Sequence, residues 1–306
     1  RFGVLCMAAA ETPRTWKNRC RKAEDLGYDI LLVTDHLDGP DWAPVPALVL
    51  AGEATGRIRL GCHVFNNDLR HPAVLARDLA ALDQMSDGRL EVGLGAGWKL
   101  LDYTFRGEQP DEPLMRIERL EEAVRAVKAL LAREQLTMEG KYYSFRDFRL
   151  SPPALQDPRP PMSIGGGGRR VLELAAKEAD IVSVNLRLGA PSFAAAMQAA
   201  TWEATTRKVG WVRDVATTRR EAPEQNIVVH FVIVGDDAGG RAEELARSLG
   251  MTAEELKSSP HALIGPVDAI VERLEEQRAE LGITYFSIPD RCLEEFAPVL
   301  DAVAGR

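Results

Sequence analysis

The 306-residue sequence predicts an α/β chain folded as a single (β/α)8 TIM barrel over residues 1–306. Three observations carry that expectation. Short β-branched apolar runs alternate with helix-period stretches from the first residues onward. Eight such runs occur, the number a closed barrel requires. No linker or low-complexity stretch separates a nucleotide-binding half from a second half, as a doubly wound sheet would lead one to expect. The strand runs are RFGVLC (1–6), DILLVT (29–34), IRLGCHVF (58–65), RLEVGLGAG (89–97), PPMSIG (160–165), DIVSVN (180–185), NIVVHFVIV (226–234) and ITYFSIP (283–289). Between them, WKNRCRKAEDLG ends on a glycine suited to a helix C-terminal cap. HPAVLARDLAALDQMSDG and MRIERLEEAVRAVKALLA carry apolar residues at helical spacing.

Three segments exceed what a minimal barrel needs. Residues 98–112 lengthen the connection after the fourth strand, and residues 186–225 form a long excursion after the sixth that contains Trp202 and Trp211. Residues 135–150, QLTMEGKYYSFRDFRL, read as a hairpin with a glycine turn. The fold is therefore expected to carry insertions after strands 4 and 6, where loops shape a barrel's active face.

Composition narrows the function. The chain is 45% apolar and 27% charged, with 38 basic and 46 acidic residues and a formal net charge of -8. No stretch gathers Lys and Arg among aromatics, so no nucleic-acid partner is expected. The longest apolar runs, 47–51 and 227–234, fall far short of the roughly 20 residues that span a bilayer. No basic segment with an apolar core opens the sequence, and a cytoplasmic location is expected. Cys6, Cys20, Cys62 and Cys292 are scattered without paired spacing, which points to reduced, buried thiols and to no metal site.

In a barrel, reactive groups gather where strands end. The second strand closes on Thr34, Asp35 and His36, the third on His63, Val64, Phe65, Asn66 and Asn67, the fourth on Gly95, Ala96, Gly97 and Trp98, and the sixth on Asn185. The fifth closes on the run SIGGGGRRVLELAAKEAD, where Gly165, Gly166, Gly167 and Gly168 precede an amphipathic helix. Consecutive glycines serve either a sharp turn or the close approach of a ligand to main-chain N–H groups, and a helix start favours a phosphate. His36 beside Asp35 suits proton transfer, with a loop hydrogen bond as the plainer role. Alternation along GCHVF directs His63 into the barrel as a satisfied histidine or a backbone contact. Trp98, after two glycines, makes a flat wall beside a ring system or a plug in the barrel mouth.

RFGVLC, AEDLGYDILLVTDH, RHPAVLARDLAALDQMSDGRLEVGLGAGW, RIERLEEAVRAVKALL, GKYYSF and PPMSIGGGGRRVLELAAKEADIV together resemble the bacterial luciferase-like flavin oxidoreductases, nearly end to end. NND before RHPAVLAR, and GGGGRRVL, resemble the actinobacterial branch that uses the deazaflavin coenzyme F-420. The resemblance implies a hydride-transferring oxidoreductase with F-420 as cofactor. Its alternative is a monooxygenase using reduced FMN and molecular oxygen. It implies His36 as the catalytic group near the reactive carbon, with Asp35 beside it. It also implies a ring resting on the stretch from His63 through Val64 and Phe65 to Asn66, often over a cis peptide. Gly95, Ala96 and Gly97 would line the far side of the ring, Asn185 would be a polar contact, and Gly165–Gly168 would hold the phosphate. Family members are commonly dimers, so a homodimer is expected. One departure bears on substrate. The deazaflavin-dependent sugar-phosphate dehydrogenases carry a glutamate where Trp98 stands, and Leu188 replaces one of their phosphate-binding lysines. An apolar or aromatic organic substrate, met by Met7, Asn67 and Trp98, is therefore expected.

Overall fold

Eight strands run parallel and close on themselves: β1 (Phe2–Cys6), β2 (Ile30–Val33), β3 (Arg59–Cys62), β4 (Leu90–Gly95), β5 (Met162–Gly166), β6 (Ile181–Val184), β7 (Glu224–Val228) and β8 (Ile283–Pro289). Each pairs with its successor, and β8 returns to β1 with Phe2 opposite Phe286 and Val4 opposite Ile288. The computed structural model describes residues 1–6, 12–38, 42–187 and 190–304. The closed parallel barrel is the one that alternating runs and helices predict.

The helices that cover it are α1 (Pro13–Asp25), α2 (Pro44–Ala54), α3 (Pro72–Met85), α4 (Pro113–Leu131), α5 (Arg169–Glu178), α6 (Trp202–Ala216), α7 (Val267–Glu276) and α8 (Ala297–Val303). The first four begin on proline, whose fixed φ and missing N–H suit a helix start. Thr12 and Thr201 add side-chain caps to α1 and α6. Leu31, Leu60, Leu90, Val92, Ile164, Val182 and Ile227 from the strands pack with Leu79, Val124, Leu172 and Val209 from the helices in one buried cluster. No helix among the described residues is long and apolar enough to cross a membrane.

The additions follow the sequence in part. A short helix, Leu100–Phe105, precedes α4, and another, Phe193–Gln198, precedes α6. Leu136–Glu139 and Ser144–Phe148 form the antiparallel hairpin, closed by the Gly140 N–H on the Tyr143 carbonyl at 3.0 Å. Residues 226–234 correct the reading of a single strand. The chain leaves the barrel after Val228, and Phe231–Val234 pairs instead with Ala262–Gly265, with helices Ala238–Ser248 and Ala253–Ser258 between them. A third insertion therefore follows strand 7, beyond those after strands 4 and 6. The handover is visible in the hydrogen bonds: the Val229 N–H donates to the Ser287 carbonyl on β8, and the His230 N–H to the His261 carbonyl of the outer pair. A run of apolar residues interrupted only by His230 has no period to mark where the pairing partner changes.

Candidate active site

The C-terminal ends of β2 to β6 surround a cleft with a volume of about 490 Å³. A larger cavity of about 650 Å³ lies at the opposite end of the barrel, lined by Asp29, Glu224 and Arg278. That end of a barrel serves stability rather than chemistry, and it has none of the glycine or histidine groups considered below.

His36 reaches the cleft from the end of β2, and its orienting group is distant in sequence. The His36 Nδ1 lies 2.9 Å from Oδ2 of Asp102, in the short helix after β4. Asp102 is fully buried, and its Oδ1 accepts the Leu37 N–H at 2.8 Å. A carboxylate only accepts, so the proton of neutral His36 sits on Nδ1 and the Nε2 lone pair is left free. The Trp98 indole meets the His36 ring edge-on, with centroids 5.7 Å apart. Asp35, the neighbour expected to serve His36, is turned to Arg70 in a bidentate pair at 2.6 and 2.9 Å and accepts the Asn66 N–H. Adjacent residues leaving a strand point apart, so Asp35 braces the β3 end while His36 takes the buried acid above it.

β3 stops at Cys62, the peptide between His63 and Val64 is cis, and Phe65–Asn66 pairs again with Leu94 and Gly95 of β4. This puts the Val64 side chain against Gly95, where any Cβ would collide with it. His63 turns inward: its Nε2 lies 3.3 Å from Asn185 Nδ2 and 3.4 Å from Ser183 Oγ. Ser183 gives its own proton to Asn226 at 2.5 Å. Desolvation lowers the His63 pKa to about 4, so the ring is neutral and accepts from Asn185. The Asn185 side-chain oxygen is a buried acceptor with no partner among the described residues, and its main-chain oxygen takes a 2.7 Å bond from Lys208. Burial among cations, Arg207 and Arg187, lowers the Lys208 pKa to about 8.

The glycine run has two parts. At Gly166 and Gly167 a Cβ would strike the Val171 side chain and the Leu186 backbone, so these glycines let β5 pack against α5 and the β6 end. Gly168 meets nothing within 4 Å and stands as the N-cap of α5 without a side-chain cap bond. The helix then opens on Arg169 and Arg170, with no acidic residue in its first turn. The start of α5 thus lies at the end of the cleft that Gly165 to Gly168 line, while Arg169 turns to Glu173 at 2.7 Å and neither arginine lines the cleft.

On the remaining wall lie Ala96 and Gly97, the latter with φ of 73°, where a Cβ would collide with the Tyr103 hydroxyl. Phe65 and Asn67 do not line the cleft. Phe65 is wholly buried in the core, and the Asn67 amide donates to Tyr143 at 3.2 Å in a neighbouring polar hollow around Asp68. Met7 lies outside the described residues, as does Leu188. Sequence reasoning missed Asp102, Arg116 and Arg187. Asp102 had one visible signal, a lone acid within KLLDYTF in a loop already marked as shaping the site. His36, Asp38 and Asp102 bring ligand atoms within 4.8 Å of one another, but the Lys99 ammonium holds Asp38 at 2.5 Å and its hydrogen bond keeps that carboxyl below the usual range.

Comparison with known proteins adds the following. The family model for luciferase-like monooxygenases matches residues 1–285. The F420-dependent glucose-6-phosphate dehydrogenase of Microbacterium testaceum is 34% identical over 188 residues, 59% of this chain and 55% of its own length. The FMNH(2)-dependent dimethylsulfone monooxygenase of Pseudomonas putida is 34% identical over 109 residues, 36% of this chain and 30% of its own. The chain spans about half the length of the first curated relatives it matches. Among solved structures, a coenzyme F420-dependent tetrahydromethanopterin reductase from Methanopyrus kandleri superposes with a TM-score of 0.77 at 18% identity, covering 97% of this chain and 96% of the other. At that identity the likeness speaks for the fold.

Proposed function

The chain belongs to the luciferase-like monooxygenase family, and on that premise we propose that it is an oxidoreductase moving a hydride between coenzyme F-420 and a small apolar or aromatic organic substrate. The carrying observation is one cleft that joins an anion-receptive helix start at Gly168 to a histidine held in one tautomer by a buried acid. The cofactor fits the residues present. A phosphate suits the first turn of α5, and the unpartnered Asn185 oxygen is an acceptor for a ring N–H. Val64, packed against Gly95, and the backbone from Gly95 to Gly97 offer flat surface to a planar group. When bound, the deazaflavin supplies a two-electron carrier that gives or takes hydride.

The protein's part is positioning and proton handling. Asp102 holds His36 so that Nε2 faces the cleft, where it takes a proton from a substrate hydroxyl in oxidation or, once protonated, returns one in reduction. His63, neutral and held by Asn185, adds a polar surface without adding charge. Trp98, 48% exposed, offers apolar surface beside His36 and supports an apolar substrate over a sugar phosphate. Arg70 and Asp35 keep the β3 end in register with the β2 end.

The curated relatives include an FMNH(2)-dependent enzyme as well as F420-dependent ones, so the deciding experiment is a calorimetric titration of the protein with F-420 and with FMN under identical conditions. Tighter binding of F-420, and substrate turnover in either direction without oxygen uptake, are expected. Preference for FMN with oxygen-dependent turnover would replace this reading with the monooxygenase one. With a substrate in hand, His36→Ala should lower turnover by roughly 10² to 10⁴ and leave cofactor affinity nearly intact.

A further inference from the structure

We propose that Arg116 makes the cleft selective for substrates that carry a carboxylate on an otherwise apolar body. The inference deepens the substrate reading above and rests on it. Arg116 lines the cleft from the first turn of α4, beside Pro113, Ile117 and Trp98. Its Nε donates to the Asp111 main-chain oxygen at 3.0 Å and its Nη1 to the Gly97 carbonyl. Among the described residues, no carboxylate forms an ion pair with it.

The surrounding acids are already taken. Asp35 is paired with Arg70, Asp102 holds His36 and the Leu37 N–H, and Asp68 accepts both Arg119 and the Tyr103 hydroxyl. Arg70 and Arg119, the neighbouring arginines, each sit on a carboxylate, whereas Arg116 meets two carbonyls and the Tyr103 side chain, none of them a full negative charge. Its position is also unfavourable for the helix. α4 runs 19 residues, its first turn holds no acidic residue, and a cation there opposes the positive end of the helix dipole. Helix stability therefore does not account for the arginine. An anion received from the cleft does, because a planar guanidinium matches a carboxylate fork and gains strength where water is displaced.

The apolar body follows from the same segment. Trp98 lines the cleft with Arg116 and is 48% exposed, and Leu100 and Leu101, which follow it in the chain, are 58% and 44% exposed. A ligand with an apolar frame and one acidic end satisfies both features, and the comparison with F-420 affinity below separates it from the cofactor phosphate as the partner of the guanidinium.

The test uses a matched pair of probes, trans-cinnamate and trans-cinnamamide, titrated by calorimetry into the F-420-loaded protein and, separately, into the protein alone. The expected result is cinnamate binding at least about tenfold tighter than the amide, a preference that shrinks with added salt. Arg116→Met should reduce the ratio to about one with amide binding retained, and Arg116→Lys should keep part of it, since the charge remains but the fork is lost. Thermal melts of both variants establish that each is folded. Equal binding of the probes to the parent protein, binding of neither, or a preference that survives in Arg116→Met would overturn the proposal. A parallel loss of F-420 affinity in Arg116→Met would also overturn it, by assigning the arginine to the cofactor. Failure of F-420 to bind the parent protein counts against the cofactor reading alone, because the titration without cofactor still reports on Arg116.

Discussion

Asp102 defines what His36 can do. Its Oδ1 accepts a main-chain N–H and its Oδ2 faces the imidazole, so both carboxylate oxygens are used as acceptors. In Asp102→Asn the single amide oxygen stays with the Leu37 N–H, and the NH₂ group faces Nδ1. The ring proton is then expected to move to Nε2, closing the lone pair that faces the cleft. Ring ¹⁵N shifts measure this directly: Nδ1–H in the parent protein and Nε2–H in the variant. Turnover should fall by roughly 10² to 10⁴, the range of general acid–base catalysis, whose upper end is reached when a catalytic imidazole is held in the wrong tautomer, with F-420 affinity unchanged. An unaltered tautomer in the folded variant would remove Asp102 from the mechanism. This pairing was not legible in the sequence, because the two residues stand 66 positions apart and Asp35 offered a nearer carboxylate. What the sequence did carry was the position of His36 itself, since a strand end is recognisable from its apolar run alone.

At the scale of the element, α5 separates two roles that consecutive glycines share. Gly166 is needed for packing: a Cβ there collides with Val171, so Gly166→Ala should destabilise the fold by about 1–3 kcal/mol, read from urea unfolding midpoints. Gly168 is the N-cap with open space around it, and Asp or Ser there improves a helix cap by a few tenths of a kcal/mol over Gly. If the first turn of α5 holds the cofactor phosphate, Gly168→Asp places a like charge beside it. Gly168→Ser offers the same cap without the charge. F-420 should bind the Asp variant at least about tenfold more weakly than the Ser variant, though the Asp protein is no less stable. Equal affinities would take this helix start out of the site. The helix and its glycine-rich approach were legible because apolar spacing and a bare backbone are local signals. The split at Val229 and His230 was not, because the change of pairing partner from β8 to Ala262–Gly265 is decided by residues more than thirty positions away.

Across the whole molecule, histidine burial sets an acid limit on stability. Three of the five histidines, His63, His230 and His261, lie at or behind the barrel mouth, and desolvation lowers their pKa values to about 4, about 4 and about 3. Nearby positive charge adds to this for His230, through Arg291, and for His261, through Lys208, and each ring would repel a proton placed on its histidine neighbour. His261 shows the cause most plainly. Its Nδ1 donates to the Val228 carbonyl at 2.8 Å, and its Nε2 is buried without a partner among the described residues, so a second proton meets no acceptor there. The unfolded chain binds these protons near pH 6.5 and the folded chain only near 4 or below, so the unfolded state holds more protons throughout that interval. Stability is therefore constant in this term above about pH 6.5 and declines as pH falls below it. The slope approaches about 1.4 kcal/mol per pH unit for each of the three groups. Urea midpoints at pH 7, 6 and 5 should drop steadily, ahead of the carboxylates that titrate lower. His261→Gln should flatten the pH slope by about one proton, whatever it does to stability at pH 7. Stability that stays level or rises from pH 7 to pH 5 would mean that these rings are charged in the folded protein. His63 would then enter the cleft as a cation rather than as a neutral acceptor beside Asn185.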